Sequence, residues 1–228
     1  MKRTLSISLI ILILSSIIPL VAQNKKTIAN KKTPVSLDSL VFKKLTNRLE
    51  VGYNNPAQYA ADKSSTYFNG LKVGLTTEYP LKNNLSLLAG VLYNLVYSDK
   101  QQKFPNSTSA ENLSYGHYIN VPVHLIYNLP ISNDLKFNAF AGPTLNFGIS
   151  QTQGIISTYS VISTTYTPDM YKSNLNQLDL QLGLGLGVQW KKYQLKGGYD
   201  WGLINISKSA SIGNLYQKGW YVSLSVTL

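Results

Sequence analysis

The chain has 228 residues, no cysteine and a formal net charge of +11. The lack of cysteine excludes a disulfide framework and any thiolate metal or redox site. The charge does not indicate nucleic-acid binding, because residues 1–48 hold nine basic residues and one acid, which is +8 of the total. The remaining residues are close to neutral and contain no basic stripe.

Residues 1–22 have the pattern of a secretory signal peptide: a basic start, an apolar run that begins at Leu5, and a small residue at the end. We expect cleavage between Ala22 and Gln23. The alternative is a membrane anchor, but the run is shorter than the roughly 20 residues of a spanning helix and is interrupted by serine. No cysteine follows it, so the exported chain is not a lipoprotein.

Residues 23–46 are rich in Lys, Asn and Thr and have little apolar periodicity, which predicts a flexible, Lys-rich periplasmic segment. Its lysines either favour anionic lipid or keep the segment soluble.

A different pattern begins at about residue 47 and continues to the C-terminus. Apolar residues alternate with polar residues or glycine over about ten positions, and then the chain turns. Alternation of this kind recurs in eight segments: 49–54, 67–79, 85–97, 113–128, 135–147, 177–190, 193–203 and 220–228. The alternation predicts eight antiparallel strands in an all-β domain over residues 47–228.

The connections between these segments also alternate in length. They are short after the second, fourth and sixth segments, and the long ones lie at about 55–65, 98–112, 149–175 and 205–218. Tight turns at one end and long loops at the other are typical of an up-and-down barrel in an outer membrane.

An eight-stranded barrel can face its apolar side inward, as a soluble lipocalin-like barrel does, or outward into lipid. Gly183, Gly185 and Gly187 share one face of the sixth segment, and leucines occupy the other. A water-facing surface would be rich in Lys and Glu, whereas a narrow interior needs small and paired polar residues. The pattern therefore predicts an eight-stranded transmembrane β-barrel. The three glycines are each two residues apart, which excludes a G-x-G-x-x-G dinucleotide-binding fingerprint.

Aromatic residues gather at both ends of the predicted apolar face, where rings would meet the two lipid–water interfaces. The short-turn rim is predicted from Tyr79, Tyr127, Trp190 and Tyr193, and the long-loop rim includes Trp201 and Trp220. We therefore expect outer-membrane lipids as the surrounding partner of a monomeric barrel, inserted by the barrel-assembly machinery. Pro122 and Pro143 lie inside strand-like runs and predict a bulge or local irregularity at each position.

Residues 118–150 contain the motifs Val121-Pro122 and Ala141-Gly142-Pro143, which flank a hairpin, and residues 199–206 read YDWGLINI. With these motifs the chain resembles the PorT-like outer-membrane β-barrel family over roughly residues 46–228. The resemblance implies an eight-stranded barrel in the outer membrane of a Bacteroidota-type Gram-negative bacterium. The protein after which the family is named is associated with protein secretion, but no residue of this chain supports assigning that role to it. The last residue is Leu228. This is a departure from the usual pattern, because the strands of outer-membrane proteins often end in an aromatic residue.

Candidate catalytic residues are few, and we predict no enzyme activity, no cofactor and no metal. The chain has two histidines, His124 predicted to face the lumen and His117 predicted to face outward near the long-loop rim. His117 and Ser114 are three residues apart and should face opposite sides, so they make a poor nucleophile–base pair. The odd spacing likewise prevents the two histidines from reaching a single metal ion.

Charged residues on the predicted lumen face should pair with one another, because unpaired buried charge is costly. They are Glu50, Lys72, Glu78, Lys136, Asp179, Lys196 and Asp200. We expect Lys136 or Lys196 to reach the carboxylates of Glu50 and Glu78. A proton or ion path is the alternative, but side chains fill the interior of an eight-stranded barrel.

The long connection 149–175 is rich in Ser, Thr and Tyr, which form adaptable contact surfaces. The alternatives to a contact surface are an unstructured polar loop or simple strand extensions beyond the membrane. The sequence therefore predicts an outer-membrane protein with a structural or interaction role and an unidentified envelope partner. The alternatives are an accessory component of an envelope secretion or assembly complex and a small lipid-acting enzyme.

Overall fold

The computed structural model describes residues 45–60, 65–103, 109–159, 161–167, 169–208 and 213–228. The predicted signal peptide, its cleavage site at Ala22 and Gln23, and nearly all of the Lys-rich segment lie outside the described residues. The first described strand begins at Thr46, beside the predicted domain boundary. None of the helices in the described part of the chain is long and apolar enough to cross a membrane.

The described residues form ten strands and one short helix. They are β1 (Thr46–Ala60), β2 (Ser65–Tyr67), β3 (Asn69–Pro80), β4 (Leu85–Lys103), β5 (Ser109–Pro130), β6 (Leu135–Tyr159), β7 (Val161–Thr167), α1 (Met170–Ser173), β8 (Leu178–Trp190), β9 (Tyr193–Gly202) and β10 (Leu215–Thr227). Eight of these strands pair antiparallel with their neighbours, and β10 pairs with β1 to close the sheet. The predicted eight-stranded up-and-down barrel is confirmed.

The short connections lie together at one end of the barrel, as the sequence predicts. β3 and β4 are joined by a turn in which Asn83 and Asn84 have positive φ, a conformation that asparagine tolerates well. Only two residues join β8 to β9, and the first of them, Lys191, also has positive φ. β1 starts and β10 ends at this same end, which we call the short-turn end.

The two faces of each strand are divided as the sequence predicts, with the apolar face outside. The outward residues of β8 include Leu182, Leu184 and Leu186, and its buried residues include Gly183, Gly185 and Gly187. A Cβ added at Gly185 would collide with the Gly197 carbonyl oxygen and the Phe140 ring. The glycines therefore provide room where neighbouring strands and side chains approach closely inside a narrow barrel.

The ladders are locally irregular at both prolines, but the strands keep their register there. The β4–β5 ladder is interrupted at Val121 and Pro122 and resumes in the same register. The β5–β6 ladder is interrupted opposite Pro143 in the same way. The register shift that does occur in β5–β6 lies between His117 and Tyr118, which the sequence did not indicate.

At the other end of the barrel, which we call the long-loop end, several strands continue well beyond the length needed to cross a bilayer. β4, β5 and β6 contain 19, 22 and 25 residues, whereas a tilted transmembrane strand needs roughly 9–11. β5 stays paired with β4 and β6 along these extensions, and β7 adds a further strand on β6. Much of the connections predicted at 98–112 and 149–175 is therefore paired sheet rather than loop.

Candidate functional site

The lumen is occupied by side chains, and a buried charge cluster lies near its middle. Glu50 of β1 is completely buried, and its carboxylate lies 2.7 Å from Lys196 Nζ and 3.6 Å from Lys72 Nζ. The Lys72 ammonium also lies 3.4 Å from the centroid of the Tyr221 ring. Both lysines are thus paired with a carboxylate or placed over an aromatic face, which offsets part of their desolvation.

The second buried carboxylate, Glu78, does not take the partner that the sequence predicts. Arg48 Nη1 lies 2.5 Å from Glu78 Oε2, and Asn128 Nδ2 donates to Glu78 Oε1 at 2.9 Å. Lys136 is exposed at the short-turn mouth and contacts neither Glu50 nor Glu78 among the residues that the structure describes, so that part of the expectation is wrong. Arg48 shares the Glu50 face by its spacing of two, a signal that the basic N-terminal composition obscured.

Two aspartates complete the inward-facing acids. Asp179 accepts hydrogen bonds from Gln181 Nε2 at 2.7 Å and Asn146 Nδ2 at 3.3 Å. Asp200 borders the same cavity as Lys72 and Lys196, and its Oδ1 atom is buried without a hydrogen bond to any described residue. Asp179 is therefore held by amides rather than by a cation, and Asp200 sits near the lysines without a close ion pair.

A chain of side-chain amides crosses the lumen beside this cluster. Asn54 Nδ2 donates to Asn94 Oδ1 at 2.9 Å, Asn94 donates to Asn120, and Asn120 donates to Asn146. Asn146 then donates to Asp179, so the chain of donors ends on a carboxylate. Asn94, Asn120 and Asn146 each act as donor and acceptor at once, which satisfies polar groups that would be costly to bury alone.

The lumen is less polar than the sequence suggests. Leu88, Ile126, Phe140 and Tyr221 pack together inside the barrel. His124 stacks on Phe140 with ring centroids 5.4 Å apart, and its Nε2 lies 3.1 Å from Thr144 Oγ1. His124 is therefore a packed lumen residue, as its predicted inward orientation requires.

The long-loop end of the lumen is closed by a cap that sequence reasoning missed. Tyr171 of helix α1, Leu175 just after it and Ile206 of the segment after β9 pack inside the barrel mouth. They contact apolar side chains that the strands and their ends supply, namely Phe68, Val96, Tyr118 and Leu215. The Tyr171 ring occupies the space above Gly148, where any Cβ would collide with it. Burial raises the pKa of the Tyr171 phenol well above its usual range.

Polar contacts fix α1 in this position. The Asp169 carboxylate accepts from the backbone N–H groups of Tyr171 at 3.2 Å and Gln151 at 3.1 Å. Lys208 Nζ donates to the Tyr171 carbonyl at 2.7 Å. The Asp169 N-cap two residues before Tyr171 is the one sequence signal that indicates this helix.

Little open volume remains between these groups. The cavity bordered by Glu50, Lys72 and Asp200 measures about 50 Å³, enough for ordered water but not for a continuous aqueous channel. A wider, open vestibule of about 650 Å³ lies at the short-turn end and is lined partly by Arg48 and Lys136. The barrel is thus open at its short-turn mouth and filled above it.

The rim aromatics lie where the sequence places them. All six predicted interfacial rings are exposed on the outer surface: Tyr79, Tyr127, Trp190, Tyr193, Trp201 and Trp220. Trp190 and Tyr193 are direct cross-strand partners beside the β8–β9 turn. On the long-loop side, Trp220 packs against Tyr53 with ring centroids 5.4 Å apart.

The structure separates the histidine and serine considered as a catalytic pair. Ser114 Oγ faces inward and donates to the Thr152 carbonyl at 3.1 Å, whereas His117 Nδ1 lies 2.6 Å from the Tyr93 hydroxyl on the outer side. Among the described residues, no three His, Asp or Glu side chains lie together in a way that could hold a metal ion.

Comparison with known proteins identifies the domain type. A family model described as "Outer membrane protein beta-barrel domain" matches residues 30–208. No curated protein matches the chain.

Several solved structures are similar to the chain. Neisserial surface protein A has 15% sequence identity, with 81% of this chain and 99% of that chain covered and a TM-score of 0.43. Ail, the attachment invasion locus protein of Yersinia pestis, has 10% identity, 80% and 98% coverage and a TM-score of 0.39. The outer membrane enzyme PagL has 10% identity, 78% and 99% coverage and a TM-score of 0.34.

Proposed function

Because this chain belongs to the outer membrane protein β-barrel domain family, we propose that it acts in the outer membrane of a Gram-negative bacterium as a structural and interaction protein rather than as a pore. The filled lumen is the observation that carries the proposal. The Glu50 cluster, the amide chain and the α1 cap leave a cavity of about 50 Å³ along a path that a porin would keep open.

Electrical recording in planar bilayers tests whether the lumen conducts. We expect the purified barrel to insert without stepwise ion conductance, because paired side chains occupy the interior. A porin inserted under the same conditions serves as the positive control. Regular conductance steps from the purified chain would contradict a filled lumen.

The long-loop sheet extension supports the interaction part of the proposal. β4 to β7 form a paired sheet that continues past the length of a membrane strand, and β7 forms its outer edge in the described part of the chain. An exposed sheet edge can pair with an extended strand of a partner. The predicted contact region 149–175 therefore divides into a capping part around α1 and a protruding hairpin formed by the end of β6 and β7.

A pull-down from intact envelopes tests that contact surface. Replacing residues 153–167 with a short Gly/Ser linker should remove specifically captured envelope proteins, because it removes the protruding hairpin. The α1 cap stays in place, so the variant should retain heat-shifted mobility in detergent gels. Unchanged capture by the folded variant would contradict a role for this hairpin.

We also propose that the chain is PorT-like within this family. The two motifs that carry the resemblance are neighbours in space, because Pro122 pairs with Thr144 beside Pro143. Gly142 allows β5 and β6 to approach closely, since a Cβ there would collide with the Val123 carbonyl oxygen. If the captured proteins are secretion components, the chain is an accessory of a secretion complex, which is the second candidate function.

Finally, we propose that the protein is a monomer and not an enzyme. The opposite orientations of Ser114 and His117 support the absence of a serine–histidine pair. The purified protein should release no fatty acid from outer-membrane lipid vesicles, and His117→Ala should change nothing. Hydrolysis that disappears in that variant would favour the lipid-acting alternative.

A further inference from the structure

We propose that the outer face of β8 and β9 binds an anionic phospholipid of the inner leaflet, with its headgroup at Lys191 and Lys192 and an acyl chain in an adjacent groove. This site goes beyond the proposed interaction role, because it concerns the membrane-facing wall near the short turns. The argument combines the shape of the wall, the position of the turn and its charge.

The outer face of β8 and β9 contains an apolar groove. Elsewhere the outer face of the barrel carries many large exposed apolar side chains. The groove measures about 570 Å³ and is lined by residues of five neighbouring strands, among them Phe137, Ala139, Leu186, Leu195 and Val222. Gly197 is one of its lining residues, and a Cβ added there would meet no heavy atom closer than 3.6 Å. Unlike the lumen glycines, Gly197 thus leaves space on the lipid side.

The position of the groove in the membrane favours a phospholipid as the molecule that binds there. Short turns of outer-membrane barrels face the periplasm, so the groove lies in the inner leaflet. Val188 and Leu195 are cross-strand partners at the groove and lie two residues, or about 7 Å, from the interfacial pair Trp190 and Tyr193. A chain entering the groove would therefore carry its headgroup to the β8–β9 turn.

The turn provides charge complementary to an anionic headgroup. Lys191 and Lys192 are its only two residues, and both are exposed. Their ammonium groups lie 5.2 Å from the Trp190 ring centroid and 5.6 Å from the Tyr193 ring centroid, respectively. Among the described residues, the acid within ion-pair distance of this turn is Asp134, which is exposed and lies 3.9 Å from Lys191 Nζ, at the limit of an ion pair. The turn therefore keeps a net positive charge at headgroup level.

Native mass spectrometry of the detergent-purified protein tests the site with phosphatidylglycerol and phosphatidylethanolamine of identical chains. We expect the protein to retain one phosphatidylglycerol more tightly than phosphatidylethanolamine. The double variant Lys191→Gln/Lys192→Gln should lose this preference, by roughly fivefold per lysine. Lys82→Gln/Lys218→Gln removes the same charge elsewhere and should leave the preference unchanged.

A second variant pair tests the groove independently of charge. Gly197→Leu fills the groove and should weaken retention of both lipids, whereas Ala89→Leu places a leucine on the lipid face of β4, outside the groove, and should not. Heat-shifted mobility in detergent gels shows that each variant is folded. Equal retention of the two lipids by the unmodified protein, equal losses in the control variants, or a lipid-independent dimer would each overturn the proposal.

Discussion

At the residue scale, ion pairing around Glu50 offsets the cost of burying charged side chains in the lumen. Glu50 lies between two lysines, one of them at 2.7 Å. Lys196→Met leaves Lys72 as the remaining partner, at 3.6 Å. We expect this change to lower the free energy of unfolding by about 3 kcal/mol, because it removes one side of a buried ion pair. Urea unfolding in lipid vesicles measures the difference.

Lys136→Met is the matched control for that prediction. Lys136 is exposed at the short-turn vestibule and makes no contact with Glu50 or Glu78 among the described residues. Its substitution should change the unfolding free energy by less than about 0.5 kcal/mol. Equal losses in the two variants would contradict the assignment of Lys196 as the partner of Glu50.

The glycines of neighbouring strands offer a second prediction at this scale. Gly185→Ala places a Cβ against the Gly197 carbonyl and the Phe140 ring, so we expect a loss of about 1–3 kcal/mol from overpacking. Gly197→Ala places the same group on the outer face, in ordinary contact distance of Tyr221 O at 3.6 Å. Thermal unfolding in detergent should separate the two variants, and similar melting temperatures would contradict the difference in space.

At the element scale, helix α1 is the part of the long connection 149–175 that has a defined structural task. Tyr171→Ala removes the ring that fills the space above Gly148, and we expect it to destabilise the barrel by about 2–4 kcal/mol. Limited proteolysis should then cut near α1, whereas Lys172→Ala, an exposed neighbour in the same helix, should stay resistant. Proteolysis that is unchanged by Tyr171→Ala would show that α1 does not depend on this ring.

At the scale of the whole molecule, closure by the β1–β10 pairing leaves no unpaired edge in the membrane. We expect the protein to fractionate with outer membranes and to run faster in detergent gels before boiling than after it, because a closed barrel resists the detergent. Recovery in the soluble fraction with no mobility shift would contradict a membrane barrel. A variant truncated before β10 cannot close and serves as the unshifted control.

How much was predictable differs between these scales. The strands, their faces and the interfacial aromatics follow from alternation that a short window of each strand displays, as in the leucines and glycines of β8. The pairing of Arg48 with Glu78 did not follow, because the residues are 30 positions apart and their contact depends on register. The extension of β6 and β7 could be foreseen only as an alternative to a loop, because polar strand residues beyond the membrane have the composition of a loop.

The sequence by itself determined that this protein is an outer-membrane barrel, which way its faces point and which end carries the short turns. These properties depend on a period of two and on turn residues, and both are local. Only the tertiary structure decided which charges meet and what closes the lumen. Asn54 reaches Asn94 across Gly70, and Tyr171 reaches back over Gly148, because strand pairing brings residues that are far apart in the chain within one side-chain length of each other. That distance depends on how the strands stagger around the barrel, and no local pattern in the chain records it.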